Sequence, residues 1–259
     1  MLKRIPITYK GELHEVVLVN FSVDIEEVRP HVPKQLKIRD FGGRALISMV
    51  NVNLKRMRPT FIPSPLHFTY RHVAFRLLVD DSEYNGGDQK GIYFYQSFTS
   101  NPLIVLGGNL LTNYKLTRAE VWNHSNGLDV KKGDHYLSYE LEPQAVIKRP
   151  NHKLKNIVGA IDRAYAMFGT QVRVTQIMRK KWPLEEIKCT KFHNTFFQSA
   201  KLEGVFRVPE TIYYTWLPPK KATYNISTQQ MFEHIMQPVL STSGNIDKPQ
   251  EIKGTLINR

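Results

Sequence analysis

The chain has 259 residues, of which 41% are hydrophobic and 23% charged, with a formal net charge of +13 at pH 7, a balance suited to a globular fold with a substantial core. The single cysteine, Cys189, excludes an internal disulfide and fits a reducing cytoplasm. The nine histidines show no HExxH or paired spacing and there is no CxxC, so neither a metal nor another cofactor is expected.

Met1–Lys10 lacks the apolar core of a signal peptide. The longest apolar stretch, Pro102–Leu111, is too short to span a bilayer, so no membrane partner is expected. Basic residues gather at Lys131–Lys132, between Lys148 and Lys155, at Arg179–Lys181 and at Lys220–Lys221. Such clusters can neutralise phosphates, but no zinc finger, RRM signature or helix-turn-helix accompanies them. They read as solvated loop faces rather than as a nucleic-acid surface.

In chain order, His14–Phe21 is β-branched and apolar and reads as the first strand. Asp24–Glu27 has the form of a capping box, opening a helix that Pro30 and Pro33 keep short. Ala45–Leu54 alternates at Leu46, Val50, Val52 and Leu54, and Ile47 and Met49 make its first half apolar on both faces. That pattern suits a strand between layers. Leu66–Val79 is a long strand with two rows: Val73, Phe75, Leu77 and Val79 are apolar, while Phe68, Tyr70, His72, Ala74, Arg76 and Leu78 are mixed. Tyr70, His72 and Arg76 therefore share one side, the side expected to face a cavity.

Asn85–Gly87 marks a turn into a strand at Ile92, and Asn101–Leu111 reads as a short helix weakened by Gly107 and Gly108. Lys115 follows this apolar, glycine-hinged segment. A lysine held against apolar packing can lose hydration, become a neutral amine and attack a carbonyl; the plain alternative is a solvated surface lysine. Ala119–Asn123 and His135–Leu141 are further strands, with a turn at Asn126–Gly127.

Leu154, Ile157, Val158, Ile161, Ala164, Tyr165 and Phe168 recur at three- and four-residue steps up to Gly169, predicting one helix over the stretch. Val172–Met178 and Thr211–Leu217 are strands, and Ser227–Gln230 opens a short helix. Strands joined by short turns, without regular βαβ crossovers or a Gly-rich phosphate loop, predict a mainly β (α+β) fold. The expected shape is an antiparallel β-barrel with peripheral helices. One domain covers 1–240, and a polar tail follows over 241–259.

Val28–Leu36 (VRPHVPKQL), Phe41–Ser48 (FGGRALIS), Phe75-Arg76, Gly91–Phe94 (GIYF) and Tyr114–Ala119 (YKLTRA) resemble, in this order, the YqjF-like uncharacterised family of the acetoacetate decarboxylase-like superfamily. Asp162–Tyr165 (DRAY), Trp182–Leu184 (WPL) and Tyr213–Trp216 (YYTW) continue the order, so the resemblance runs from about Val17 to Tyr224. It implies a closed, largely antiparallel barrel with helices outside and a small-molecule cavity inside. In decarboxylases of this type a lysine forms a Schiff base with a β-keto acid, and the imine becomes an electron sink. Laying Val105–Leu116 on that segment puts Lys115 at the nucleophile, with Leu116 in place of a second lysine and Tyr114 in place of a proline. His72 stands where an acid is expected, Ala74 replaces an amide, and Arg76 keeps the family's arginine.

Three functions stay open. A barrel enzyme, a decarboxylase-like lyase, would use Lys115 as nucleophile or electrostatic anchor and His72 as a proton carrier near neutral pH. Arg76, Tyr70 and Tyr114 would surround its keto acid or carboxylate. A ligand-binding barrel would hold the same compounds without turnover. A basic surface would bind a polyanion. Ordinary structural roles stand beside these: His72 as a satisfied interior histidine, Arg76 paired with Glu120 or Glu140, Tyr70 and Tyr114 as packing aromatics, and Trp182 as core. Barrel edges and exposed aromatics permit a homodimer without requiring one.

Overall fold

The computed structural model describes residues 6–84, 88–112 and 115–224, apart from the side chain of Pro143. Seven strands close on themselves: β1 (Tyr9–Val23), β3 (Ala45–Pro59), β4 (Phe68–Asp80), β5 (Gly91–Thr99), β10 (Arg163–Phe168), β11 (Gln171–Arg179) and β14 (Ile212–Trp216). They run in the order β14-β11-β10-β5-β4-β3-β1, and β14 pairs back onto β1, completing a barrel. Neighbours are antiparallel except β5 and β10, which are parallel. A parallel pair needs a long crossover, and the chain between Thr99 and Arg163 supplies it.

Strand β1 changes partners along its length. Tyr9–Leu13 pairs with β14, whereas Val16–Ser22 pairs with β13 (Lys201–Val208). Between the two halves the ladder to β3 shifts register, and Glu15 takes a left-handed φ of 52°. A bulge of this kind bends the strand and lets it leave one partner for another. From β13 the sheet continues through β12 (Glu185–Asn194), β9 (His135–Val146), β8 (Gly127–Lys132) and β7 (Glu120–His124). Short strands β2 (Lys37–Ile38), β6 (Leu116–Arg118) and β15 (Lys220–Lys221) add to β4, β5 and β11. The helices are α1 (Ile25–Val28), α2 (Pro102–Leu111) and α3 (His152–Gly159).

Period-two alternation divides the core. Leu18, Val50, Ala74, Ile92 and Phe206 belong to the cluster inside the barrel, which α3 joins through Leu154 and Val158. Phe21, Phe75, Phe98 and Phe197 form the outer cluster, packed ring edge against ring face, with Phe75 and Phe98 at 5.5 Å and 82°. The apolar row of β4 (Val73, Phe75, Leu77, Val79) faces this outer layer.

The predicted helix over Leu154–Phe168 is two elements. α3 stops at Gly159, and Arg163–Phe168 is strand β10, with Arg163, Ala164 and Tyr165 in register with Gly91, Ile92 and Tyr93. Its spacing looked helical, yet Ala164 faces the interior and the next residue, Tyr165, the outer cluster. Gly169 does not stop a helix; with φ 62° it turns the tight β10–β11 hairpin, where Phe168 pairs with Gln171.

The capping box is also corrected. Asp24 makes no side-chain cap; it pairs with Arg44, and Glu27 accepts from the backbone N–H groups of Gln198 and Ser199. The strands β12 and β13 are rich in charged residues, so sequence pattern did not mark them. The helix expected at Ser227–Gln230 and the tail from Ser241 lie outside the described residues. Among the described residues no helix is long and apolar enough to cross a membrane.

Candidate functional site

The inward row of β4 meets β11 and β14 across the barrel in a cavity of about 70 Å³. Tyr70, His72 and Arg76 line it, together with Arg179 at the end of β11, Trp182 just beyond, and Tyr214 from β14. The remaining walls are mostly aliphatic, from Leu13, Val50, Val52 and Leu54. Among the described residues no aspartate or glutamate lines it.

Arg76 is 6% exposed. Opposite it in the ladder stands Ser48, and Arg76 donates from Nε to the Ser48 carbonyl at 3.0 Å and from Nη2 to its hydroxyl at 2.9 Å. Neither Glu120 nor Glu140 is its partner; Glu140 pairs with Lys191. No protein group accepts from Nη1 among the described residues. Burial first, and the charge of Arg179 second, push the Arg76 guanidinium down to about 9. It remains a cation at neutral pH, held in an apolar cavity with neutral partners.

Arg179 lies 4.4 Å from the Trp182 ring centroid and Arg76 lies 5.9 Å from it, so one indole contacts both cations. Arg179 donates to the carbonyls of Ile161 at 2.5 Å and Gly159 at 3.5 Å, satisfying acceptors left open where α3 ends. The Trp182 Nε1 is buried and has no acceptor among the described residues. Burial, and then the Arg76 charge, lower His72 to about 4. Its imidazole is therefore neutral at pH 7, which corrects the expectation of a group titrating near neutrality. Tyr70 donates to the Met57 sulfur at 3.5 Å, and burial raises its phenol.

Lys115 is elsewhere. It is exposed, with a left-handed φ of 51°, and its Nζ reaches the Tyr93 hydroxyl and lies 4.4 Å from that ring's centroid. Tyr93 belongs to the outer cluster, so the expectation of a lysine buried inside the barrel is corrected. The reason lies at the entry to β6: Leu116 pairs with Ser97 and turns its side chain into the interior cluster, while Lys115, just before the strand and left-handed, sends its side chain away to Tyr93. Tyr114 lies outside the described residues.

Of the five expected site residues, the cavity thus brings together Tyr70, His72 and Arg76. Sequence reasoning missed Arg179 and assigned Trp182 to plain core. The signal for Arg179 was present, since Thr175, Ile177 and Arg179 continue one row of β11, but Lys180 and Lys181 beside it made it look like a solvated charge cluster.

The closed seven-stranded barrel with few helices shares the acetoacetate decarboxylase-like fold. Acetoacetate decarboxylase from Legionella pneumophila superposes with a TM-score of 0.54 at 12% identity, covering 86% of this chain and 89% of that one. An acetoacetate decarboxylase-like enzyme from Sphingomonas wittichii RW1 gives 0.53 at 12% identity, over 86% and 94% of the two chains. The enduracididine biosynthesis enzyme MppR, complexed with the condensation product of pyruvate and imidazole 4-carboxaldehyde, gives 0.53 at 9% identity, over 83% and 89%.

In sequence, the chain is similar to the uncharacterized protein YqjF of Bacillus subtilis (strain 168), 27% identical over 115 residues. That match spans 44% of this chain and 46% of YqjF, less than half of the relative. The DUF2071 family, described as an uncharacterized conserved protein, matches residues 10–218, and the chain belongs to it.

Proposed function

We propose that the protein binds small carboxylic acids inside the barrel, with Arg76 as the anchor. The observation that carries this reading is a buried guanidinium, unopposed by any carboxylate among the described residues, whose Nη1 has no protein acceptor. A buried cation without a counter-charge is costly, and an acid seated on it offsets that cost with charge-assisted hydrogen bonds. The Trp182 indole N–H supplies a further donor at the same wall. Support by likeness comes from MppR, which is described in complex with pyruvate. Neutral His72 can donate or accept one hydrogen bond to the ligand without competing for its charge.

Turnover through a Schiff base is not part of this reading, because the inward position beside β5 is held by Leu116 and the amine of Lys115 rests on Tyr93 outside the cavity. Calorimetric titration with pyruvate, acetoacetate and butyrate tests it. The expected result is saturable binding by the intact chain, weakened at least tenfold in Arg76→Met, a loss of more than about 1.4 kcal/mol. Borohydride treatment with acetoacetate should leave Lys115 unlabelled. Selective trapping at Lys115, abolished in Lys115→Ala, would instead restore the lyase reading.

A further inference from the structure

The Arg76 cavity has neighbours. Two more, of about 60 and 80 Å³, adjoin it. Phe94 and Trp216 line both the Arg76 cavity and the first neighbour, while Met57 and Tyr70 line both the Arg76 cavity and the second. The two neighbours share Tyr9, Leu111 and Thr112 with each other. Charge is confined to one end of this set. No charged residue lines the first neighbour, and the second has only Arg58, which is turned to the Ile62 carbonyl at 2.6 Å.

The second neighbour lies against α2, whose Leu103, Ile104, Gly107 and Leu111 form its wall. This helix carries no charged residue and buries none of its own side chains fully. Leu103, Leu106 and Leu110 are 77%, 63% and 50% exposed, with Phe68 beside the same cavity at 55%. An apolar helix that the fold leaves open presents surface suited to the passage of an apolar ligand.

We infer that the ligand is an amphipathic monocarboxylate, an acid with a medium-length aliphatic tail, whose carboxylate sits on Arg76 and whose tail runs past Phe94 or Met57 to lie beneath α2. The inference rests on the carboxylate-binding reading and adds the tail. A 70 Å³ cavity takes the head group and a few carbons, and the adjoining apolar volume takes the rest. Each buried methylene tightens binding, whereas a second charge anywhere along that path would be desolvated without a partner.

The test is a chain-length series of butyrate, hexanoate, octanoate and decanoate titrated into the full-length protein. Affinity should rise roughly three- to fourfold per methylene up to a plateau. Leu111→Asp puts a charge where the two apolar cavities meet, and Leu111→Trp fills the same place without charge. In each, the octanoate-to-butyrate affinity ratio should fall toward one, with ligand-free melting curves checking the fold. Butyrate binding with no gain from length would overturn the tail and leave the carboxylate reading standing. A gain kept in both Leu111 variants would put the tail elsewhere and equally overturn this path. Failure of every acid to bind would overturn both readings.

Discussion

His72 and Arg76 share the inward row of β4 with only Ala74 between them, and the Arg76 charge adds to the burial that opposes protonation of His72. An unfolded histidine titrates near 6.5, whereas burial and Arg76 hold His72 at about 4 in the fold. As pH falls below 6.5 the unfolded chain takes up a proton that the fold refuses. Stability attributable to this site is therefore intact above 6.5, declines down to about pH 4, and levels off below, by roughly 3 kcal/mol in total. Urea melts at pH 7 and 4.5 should show wild type losing about 2–3 kcal/mol more than His72→Gln over that interval. Parallel losses in the two proteins would mean that His72 is protonated in the folded state. At this scale the β4 row was legible because alternation is local. The orientation of Lys115 was not, because a lysine beside a leucine reads the same whichever of them faces inward.

The paired glycines of α2 do different work. A side chain at Gly107 would meet nothing within 4 Å, while a Cβ at Gly108 would stand 2.2 Å from the Cδ1 of Leu116. Gly108 thus lets the helix approach β6, and Gly107 only lowers helix propensity. Gly107→Ala should stabilise the protein by about 0.5–1 kcal/mol, and Gly108→Ala should cancel that gain or reverse it. Thermal melts of the two single variants decide this; equal stabilisation would show that Leu116 moves aside freely.

Element existence was readable where one periodicity ran alone, as in β4; α2, apolar on every face and weakened by its glycines, forms behind an Asn101 cap and a Pro102 start. It was unreadable at β10. There, three- and four-residue spacing arose across a helix, a turn and a strand, and pairing with β5 overrode it.

The parallel seam between β5 and β10 joins two antiparallel runs of the barrel and is pinned by charge. Arg163 lies 2.7 Å from Asp162, 2.8 Å from Asp88 and 3.7 Å from Asp81, and Asp81 also accepts from the Tyr165 hydroxyl at 2.8 Å. Asp81 is 1% exposed, and burial raises its carboxyl above the ordinary range. Removing the arginine strands that carboxylate in the interior. Arg163→Met should cost about 3–5 kcal/mol in urea unfolding, and adding Asp81→Asn should recover part of it by removing the buried charge. A loss below 1 kcal/mol would show that the seam is held by its backbone ladder alone.

Strand period, turn residues and the lack of βαβ rhythm determined, from the sequence by itself, a β-rich barrel and the shared side of Tyr70, His72 and Arg76, since all of these depend on residues a few positions apart. Only the tertiary structure decided that Leu116 rather than Lys115 enters the barrel and that Arg179 lies inside it. Those outcomes depend on the pairing of β6 with β5 and of β11 with β14. A one-residue slip in either register would exchange the inward and outward side chains, and no local pattern sets a register between strands so far apart in the chain.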